Sequence, residues 1–305
     1  MDLARAIAAL LIAVGAVGAG GALPLQDAKW IVAEARLEAL TSLPPSCISD
    51  RLSPVQLGIA EAAFQTPLLL GGQAARAGLS CASCHPSGRA NQGFRFPGLS
   101  GAPGTADVTS SMMSHHRGDA IFNPVRIPDL AMDIPKISRD PESPALTSFI
   151  RGLIVEEFDG PEPAPAVLDA IVNYVRAMRP EACQSAKRVP ITLRRHFTEI
   201  DNALEMARLA SFGRDKDSAR LMLAAARHRL GLVHERYAGR QLNKQRALII
   251  AVDRQMQALQ SKVATAKLID VATIREVIGG LRVALETSEA KSLYNAKRLA
   301  RAVGQ

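Results

Sequence analysis

The residues most able to do chemistry lie in one short string, Cys81-Ala82-Ser83-Cys84-His85. Two thiols lie three positions apart, and the imidazole follows immediately. This spacing suits covalent attachment of one haem: the thiols reach its two vinyl groups and His85 presents a neutral nitrogen to the iron. A redox Cys-x-x-Cys pair would belong beside a βαβ pattern, and none surrounds the string. A zinc site would want a second ligand pair, yet no other Cys-x-x-Cys occurs in the chain. The expected cofactor is therefore one covalently held haem c.

The opposite axial position decides between a closed electron carrier and an open, ligand-binding iron. Met132, in Pro128-Asp129-Leu130-Ala131-Met132, is the first candidate by its interval from His85; Met112, Met113, His115 and His116 are the others. Phe94, Phe96, Pro97 and Leu99 could wall the haem edge or pack in an ordinary core. Arg89 and Arg117 could pair with haem propionates through their guanidinium forks. The remaining cysteines, Cys47 and Cys183, flank this region beside proline-marked breaks, and in an oxidising compartment their disulfide would clasp its two ends.

The elements that must position these groups read as helices separated by loops. Gln26–Leu40 has helical periodicity, with Trp30, Ala33, Leu37 and Leu40 on one stripe. Ser53 is a good N-cap ahead of Pro54, predicting a helix that runs to about Gln65. Residues 68–144 are rich in Gly, Pro, Ser and Asn, and a loop region this long calls for an organiser such as a flat apolar cofactor. Further helices are expected at Pro144–Leu153 and Pro165–Met178. After Pro190 the chain contains no proline. Four apolar series follow, Leu193–Ala207, Ala219–Tyr237, Leu248–Val263 and Ile274–Leu285, with breaks at Phe212-Gly213, Ala238-Gly239 and Leu268–Asp270.

Leu57-Gly58 to Phe64, Pro67-Leu68-Leu69-Leu70 and Leu79 to His85 resemble the haem-binding segment of the bacterial cytochrome c peroxidase superfamily. Val167 to Ala177 is similar to the closing helix of cytochrome c domains. The resemblance covers about residues 50–180 and implies a helical cytochrome c fold around one haem. Those peroxidases carry two haems; this chain has one Cys-x-x-Cys-His, so their haem-to-haem relay cannot run within it.

The expected fold is all-α: a signal segment (1–22), an N-terminal helical segment (23–46), a cytochrome c-like haem domain (47–186) and an antiparallel four-helix bundle (190–305). Arg5, the apolar run Ala6–Gly18 and the small residues Gly20-Gly21-Ala22 read as a cleaved export signal, which directs the chain to the periplasm and away from nucleic acid. An uncleaved N-terminus would instead anchor it in a membrane. The net charge of +8 divides into a balance of +12 over 187–305 and −4 over 1–186. The basic half could dock an acidic redox partner or rest on anionic lipid. His196, His228 and His234 lie there without helical metal-ligand spacing, so no second metal is expected. One-electron transfer between periplasmic partners is the leading expectation. A mono-haem peroxidase-like enzyme with His116 or Arg117 beside an open iron is the alternative, and a haem sensor or interaction module the third.

Overall fold

A computed structural model describes residues 25–304 of the chain except 50, 111, 133–134, 136, 184–186 and 267. The expected signal segment lies outside the described residues. Within them the protein is mostly helical, as expected of an all-α chain. The strands are four pairs of residues, joined as two short antiparallel ladders.

The N-terminal stripe does not form one helix. A 3-10 turn at Gln26–Ala28 is followed by an extended step, and α1 covers only Ala33–Thr41. The interruption has a cause: Ile31 bridges Phe94, the Arg95 amide donates to the Trp30 carbonyl, and the Val32 amide donates to the Gly93 carbonyl. Pairing with the loop that follows the Cys-x-x-Cys-His string outweighs helical propensity here. α2 (Pro54–Phe64) begins as its sequence predicts. Ser53 Oγ accepts from the Gln56 amide, the Gln56 side chain accepts from the Ser53 amide, and Pro54 occupies the first helical position.

Short elements occupy the loop-rich middle: α3 (Gly72–Ala77), α4 (Cys81–Cys84), β2 (Thr105–Ala106) and β3 (Val125–Arg126), the last two paired. α5 (Ala145–Gly152) runs into a π-helical turn at Leu153–Glu157. α6 (Pro165–Ala177) buries Val167, Ala170, Ile171 and Tyr174 against α2. The disulfide Cys47–Cys183 closes this stretch, with Cα atoms 4.8 Å apart. Beside it Ile48 bridges Met178, and β1 (Ser42–Leu43) pairs with β4 (Val189–Pro190), so both ends are drawn together.

The four apolar series become α7 (Leu193–Phe212), α8 (Lys216–Arg236), α9 (Asn243–Lys262) and α10 (Val271–Glu286). Thr192, Asp215 and Asp270 each accept a hydrogen bond from an amide of the first turn they precede. α7 contacts α8 and α10, and α9 contacts the same two. A last short helix, α11 (Ala296–Ala302), packs on α1. α2 lies against both α7 and α8, and one buried cluster runs from Ile59, Ala63 and Phe64 to Phe197, Ile200 and Leu204. The C-terminal helices therefore share a core with the region carrying the candidate site. Among the described residues no helix is long and apolar enough to cross a membrane.

Candidate functional site

α4 is a single helical turn, and its local sequence explains why so short a helix holds. The Ser80 amide donates to Ser83 Oγ at 3.0 Å, which ties off the N-terminal end. At the other end the His85 amide donates to the Cys81 carbonyl at 2.8 Å. Asn91 then braces the turn from outside: its Nδ2 donates to the Ser83 carbonyl and its amide to the Cys84 carbonyl. Cys81 and Cys84 thus share a single turn, and His85 leaves the helix with non-helical torsions.

Both thiols are unpaired. Burial pushes each up to about 12, with Cys81 adding to the effect on Cys84. Reactive Cys-x-x-Cys pairs need a depressed thiol, held as thiolate by nearby positive charge or a helix N-terminus. This pair is perturbed in the other direction. Thiols poised for exchange chemistry do not fit; thiols held protonated do.

Burial also lowers His85, to about 4, although the Pro128 carbonyl and the Asp129 carboxylate favour its charged form. The imidazole is therefore neutral at physiological pH, the state that can coordinate a metal. Its Nδ1 is buried and makes no hydrogen bond, a costly condition in an apolar setting. Two free thiols on one turn and a neutral imidazole directly after it are the donor set that an iron porphyrin tethered at Cys81 and Cys84 would use.

The wall behind His85 is built from several directions. The Leu130 amide donates to the Gly88 carbonyl at 2.9 Å. Arg89 Nε donates to Asp129 Oδ2 at 2.6 Å. Met178 is fully buried, and a Cβ on Gly88 would meet its Sδ at 2.5 Å. Gly88 also has φ +79°, so glycine is required there by both conformation and space.

The candidates for the opposite axial position separate clearly. Met132 is 51% exposed and follows directly on the Pro128–Asp129 loop that faces His85. Met112 is 45% exposed and Met113 only 1%. His115 and His116 are exposed and turned toward Asp159, with His115 Nδ1 hydrogen-bonded to its carboxylate. Arg117 pairs with Glu157 at 2.9 Å and Arg89 with Asp129, so both guanidinium groups are engaged with carboxylates of the chain itself. Phe94, Phe96 and Leu99 are buried, Phe96 against Trp30 with ring centroids 4.2 Å apart.

A cavity of about 390 Å³ separates the outer face of the motif, at Ser80, Ala82 and Ser83, from His196, His228 and Arg229 of α7 and α8. His196 shares a 2.6 Å hydrogen bond between its Nδ1 and the Tyr294 hydroxyl. Among the described residues no group of three or more His, Cys, Asp or Glu side chains could hold a metal ion.

Compared with protein-family models, curated proteins and solved structures, the chain matches none. The functional reading therefore rests on the Cys81–His85 string and this geometry. Three parts of the wall escaped sequence reasoning: Pro128, the Arg89–Asp129 pair and Met178. Pro128 carried a local signal, because it opens the Pro-Asp turn of the string inspected for Met132. Nothing local marked Met178, which reaches Gly88 only through the fold.

Proposed function

We propose that the protein is an exported c-type cytochrome carrying one haem, covalently linked through Cys81 and Cys84 and ligated by His85, which passes single electrons between partner proteins. The observation that carries this reading is the arrangement of the three motif residues: Cys81 and Cys84, both free, on one helical turn, with His85 directly after it and its Nδ1 buried without a partner. Haem supplies, when bound, a one-electron ferrous–ferric couple. Cys81 and Cys84 keep the group from dissociating. His85 would contribute a ring nitrogen to the iron, and the backbone around it is held by the Gly88 amide on the His85 carbonyl and the Leu130 amide on the Gly88 carbonyl. The burial that raises the thiols would favour the less charged oxidation state of a bound iron.

In this reading residues 47–186 form a cytochrome c-like unit and α7–α10 an antiparallel four-helix bundle packed on it. Met132 remains the proposed opposite ligand. Its exposed side chain would have to turn inward, whereas Met113 is already enclosed; spectra of Met132→Ala and Met113→Ala would separate the two, the true ligand's loss leaving a high-spin ferric haem. The basic surface of 187–305 suits an acidic redox partner or an anionic membrane surface in the periplasm.

The test is production in a host with c-type maturation machinery. A denatured chain that keeps its haem stain, and loses it in Cys81→Ala/Cys84→Ala, supports the reading. A wild-type chain without bound haem overturns it. Steady peroxide turnover would move the function from carrier to enzyme.

A further inference from the structure

We propose that the cavity between the Cys81–His85 turn and the helices α7 and α8 is a binding site for a free α-amino acid with an apolar or aromatic side chain. The site is independent of haem attachment, because Cys81, Cys84 and His85 do not line it.

Three walls of different chemistry meet there. The motif presents Ser80, Ala82 and Ser83. The N-terminal segment supplies Trp30, Ile31 and Ala35, with Phe94 beside them. These apolar groups are fixed in place: Ile31 bridges Phe94, and Trp30 Nε1 donates to the Ala77 carbonyl at 2.9 Å. The third wall is polar. It joins Gln65, which ends α2, to Arg195, His196 and Glu199 of α7 and to His228 and Arg229 of α8. At about 390 Å³ the space falls within the range of small-molecule sites, ~300–1,000 Å³.

The polar wall is charged and incompletely satisfied. Glu199 sits between two guanidinium groups, with Arg195 Nε 2.9 Å from one carboxylate oxygen and Arg229 Nε 3.2 Å from the other. Neither approach is aligned as a hydrogen bond, so both carboxylate oxygens and Arg195 Nε are buried without one. Gln65 Oε1 is in the same condition. His196 is 2% exposed; its Nδ1 meets the Tyr294 hydroxyl, and among the described residues its Nε2 has no partner. Buried polar groups left unmet are costly. A ligand that brings both donors and acceptors relieves that cost.

The charge balance decides the class of ligand. Two of the lining arginines are already neutralised, Arg188 by Glu38 at 3.0 Å and Arg89 by Asp129 at 2.6 Å. Burial, with Arg229 adding to it, keeps His196 and His228 uncharged. Arg195 and Arg229 are then balanced by Glu199 and Asp27, two positive charges against two negative. Asp27 belongs to the 3-10 turn that packs on α8, where the Gln26 amide donates to Glu235 at 2.8 Å. A simple anion or cation therefore meets no net opposite charge. A zwitterion meets a partner for each of its charges: a guanidinium for the carboxylate, and Glu199, Asp27 or Gln65 Oε1 for the ammonium. Trp30, Ile31, Ala35 and Phe94 are left for its side chain.

The experiment is isothermal titration calorimetry of the full chain with L-phenylalanine and L-leucine as probes. At least one of them is expected to bind saturably at one site per chain. Removing the ammonium (hydrocinnamate, isocaproate) or the carboxylate (phenethylamine, isoamylamine) should weaken binding by about tenfold or more. Arg229→Gln and Glu199→Gln should each do the same. If those variants fail to fold, Ala39→Leu decides in their place: it narrows the cavity from α1 without removing a charge, and it should weaken binding too. No saturable binding of either amino acid would overturn the site. Equal binding of a probe lacking one charge would overturn the zwitterion, and so would wild-type affinity in variants that keep the wild-type far-UV spectrum.

Discussion

Removing the disulfide with Cys47→Ala/Cys183→Ala should destabilise the protein by about 5 kcal/mol. The two cysteines are 136 residues apart in sequence. Cross-linking so long a loop removes about 17 cal/mol/K of chain entropy from the unfolded ensemble, which is about 5 kcal/mol at 25 °C. Domains of this kind are stable by ~5–15 kcal/mol in total, so the loss is a large share. The folded state should change little, because other contacts keep the ends together: the β1–β4 ladder, the Ile48–Met178 bridge and the Arg179 amide on the Cys47 carbonyl. Cys47 is fully buried, so alanine is the better replacement than serine, which would bury an unpaired hydroxyl. A double substitution also avoids leaving one unpaired thiol behind. The assay is equilibrium urea unfolding of both proteins, followed by helical signal, with the slope compared as well as the midpoint. The variant should unfold at lower urea and with a steeper slope, since its unfolded chain is less restrained. A stability difference below about 1 kcal/mol would refute the loop-entropy argument.

Gly88→Ala should cost about 2–3 kcal/mol, from a positive φ and a Cβ driven into Met178; a thermal melt within a degree of wild type would contradict the packing described behind His85. Because α2 buries its face against α7 and α8, Ile200→Ala should cost ~2–5 kcal/mol. By the same argument, deleting 190–305 should leave a chain without a cooperative unfolding transition. His228 is lowered to about 4 by burial and by Arg229. A group whose folded pKa lies below its unfolded value destabilises the fold as it is asked to take up a proton, so stability should fall as pH drops from about 6.5 toward 4. His228→Gln should flatten that slope by up to about 3 kcal/mol across the window, read from urea midpoints at a series of pH values. Glu235 acts in the opposite sense: burial raises it to about 7, so its contribution is lost as pH rises from about 4.5 to 7.

How much of this was legible in the residues depends on the range of the forces involved. α2 and α7–α10 were readable because capping residues and apolar periodicity are local signals, and Ser53, Asp215 and Asp270 act within three residues of themselves. The Cys47–Cys183 pairing followed from exclusion, once the Cys-x-x-Cys-His string had taken the other two cysteines. The N-terminal stripe misled because its apolar spacing is helical while its backbone is recruited by Phe94 and Gly93, residues some sixty positions away. α3, α4 and α11 were too short to show a period. The union of the C-terminal helices with the region carrying the Cys-x-x-Cys-His string was hidden for a different reason. A change of composition at residue 190 marks a change of local texture, and says nothing about whether two faces bury each other, as Gly58 and Met206 do. The wall behind His85 was the least visible part, since Arg89, Asp129 and Met178 are brought there only when the loops close.

The claim that a haem is carried by Cys81 and Cys84 is tested most directly by the reduced pyridine haemochrome spectrum of the acid-acetone-washed chain. One haem per chain should remain, with the band position of a porphyrin whose vinyl groups have both been saturated by thiols. A colourless washed chain, or haem recovered in the solvent with its vinyl groups intact, would contradict it.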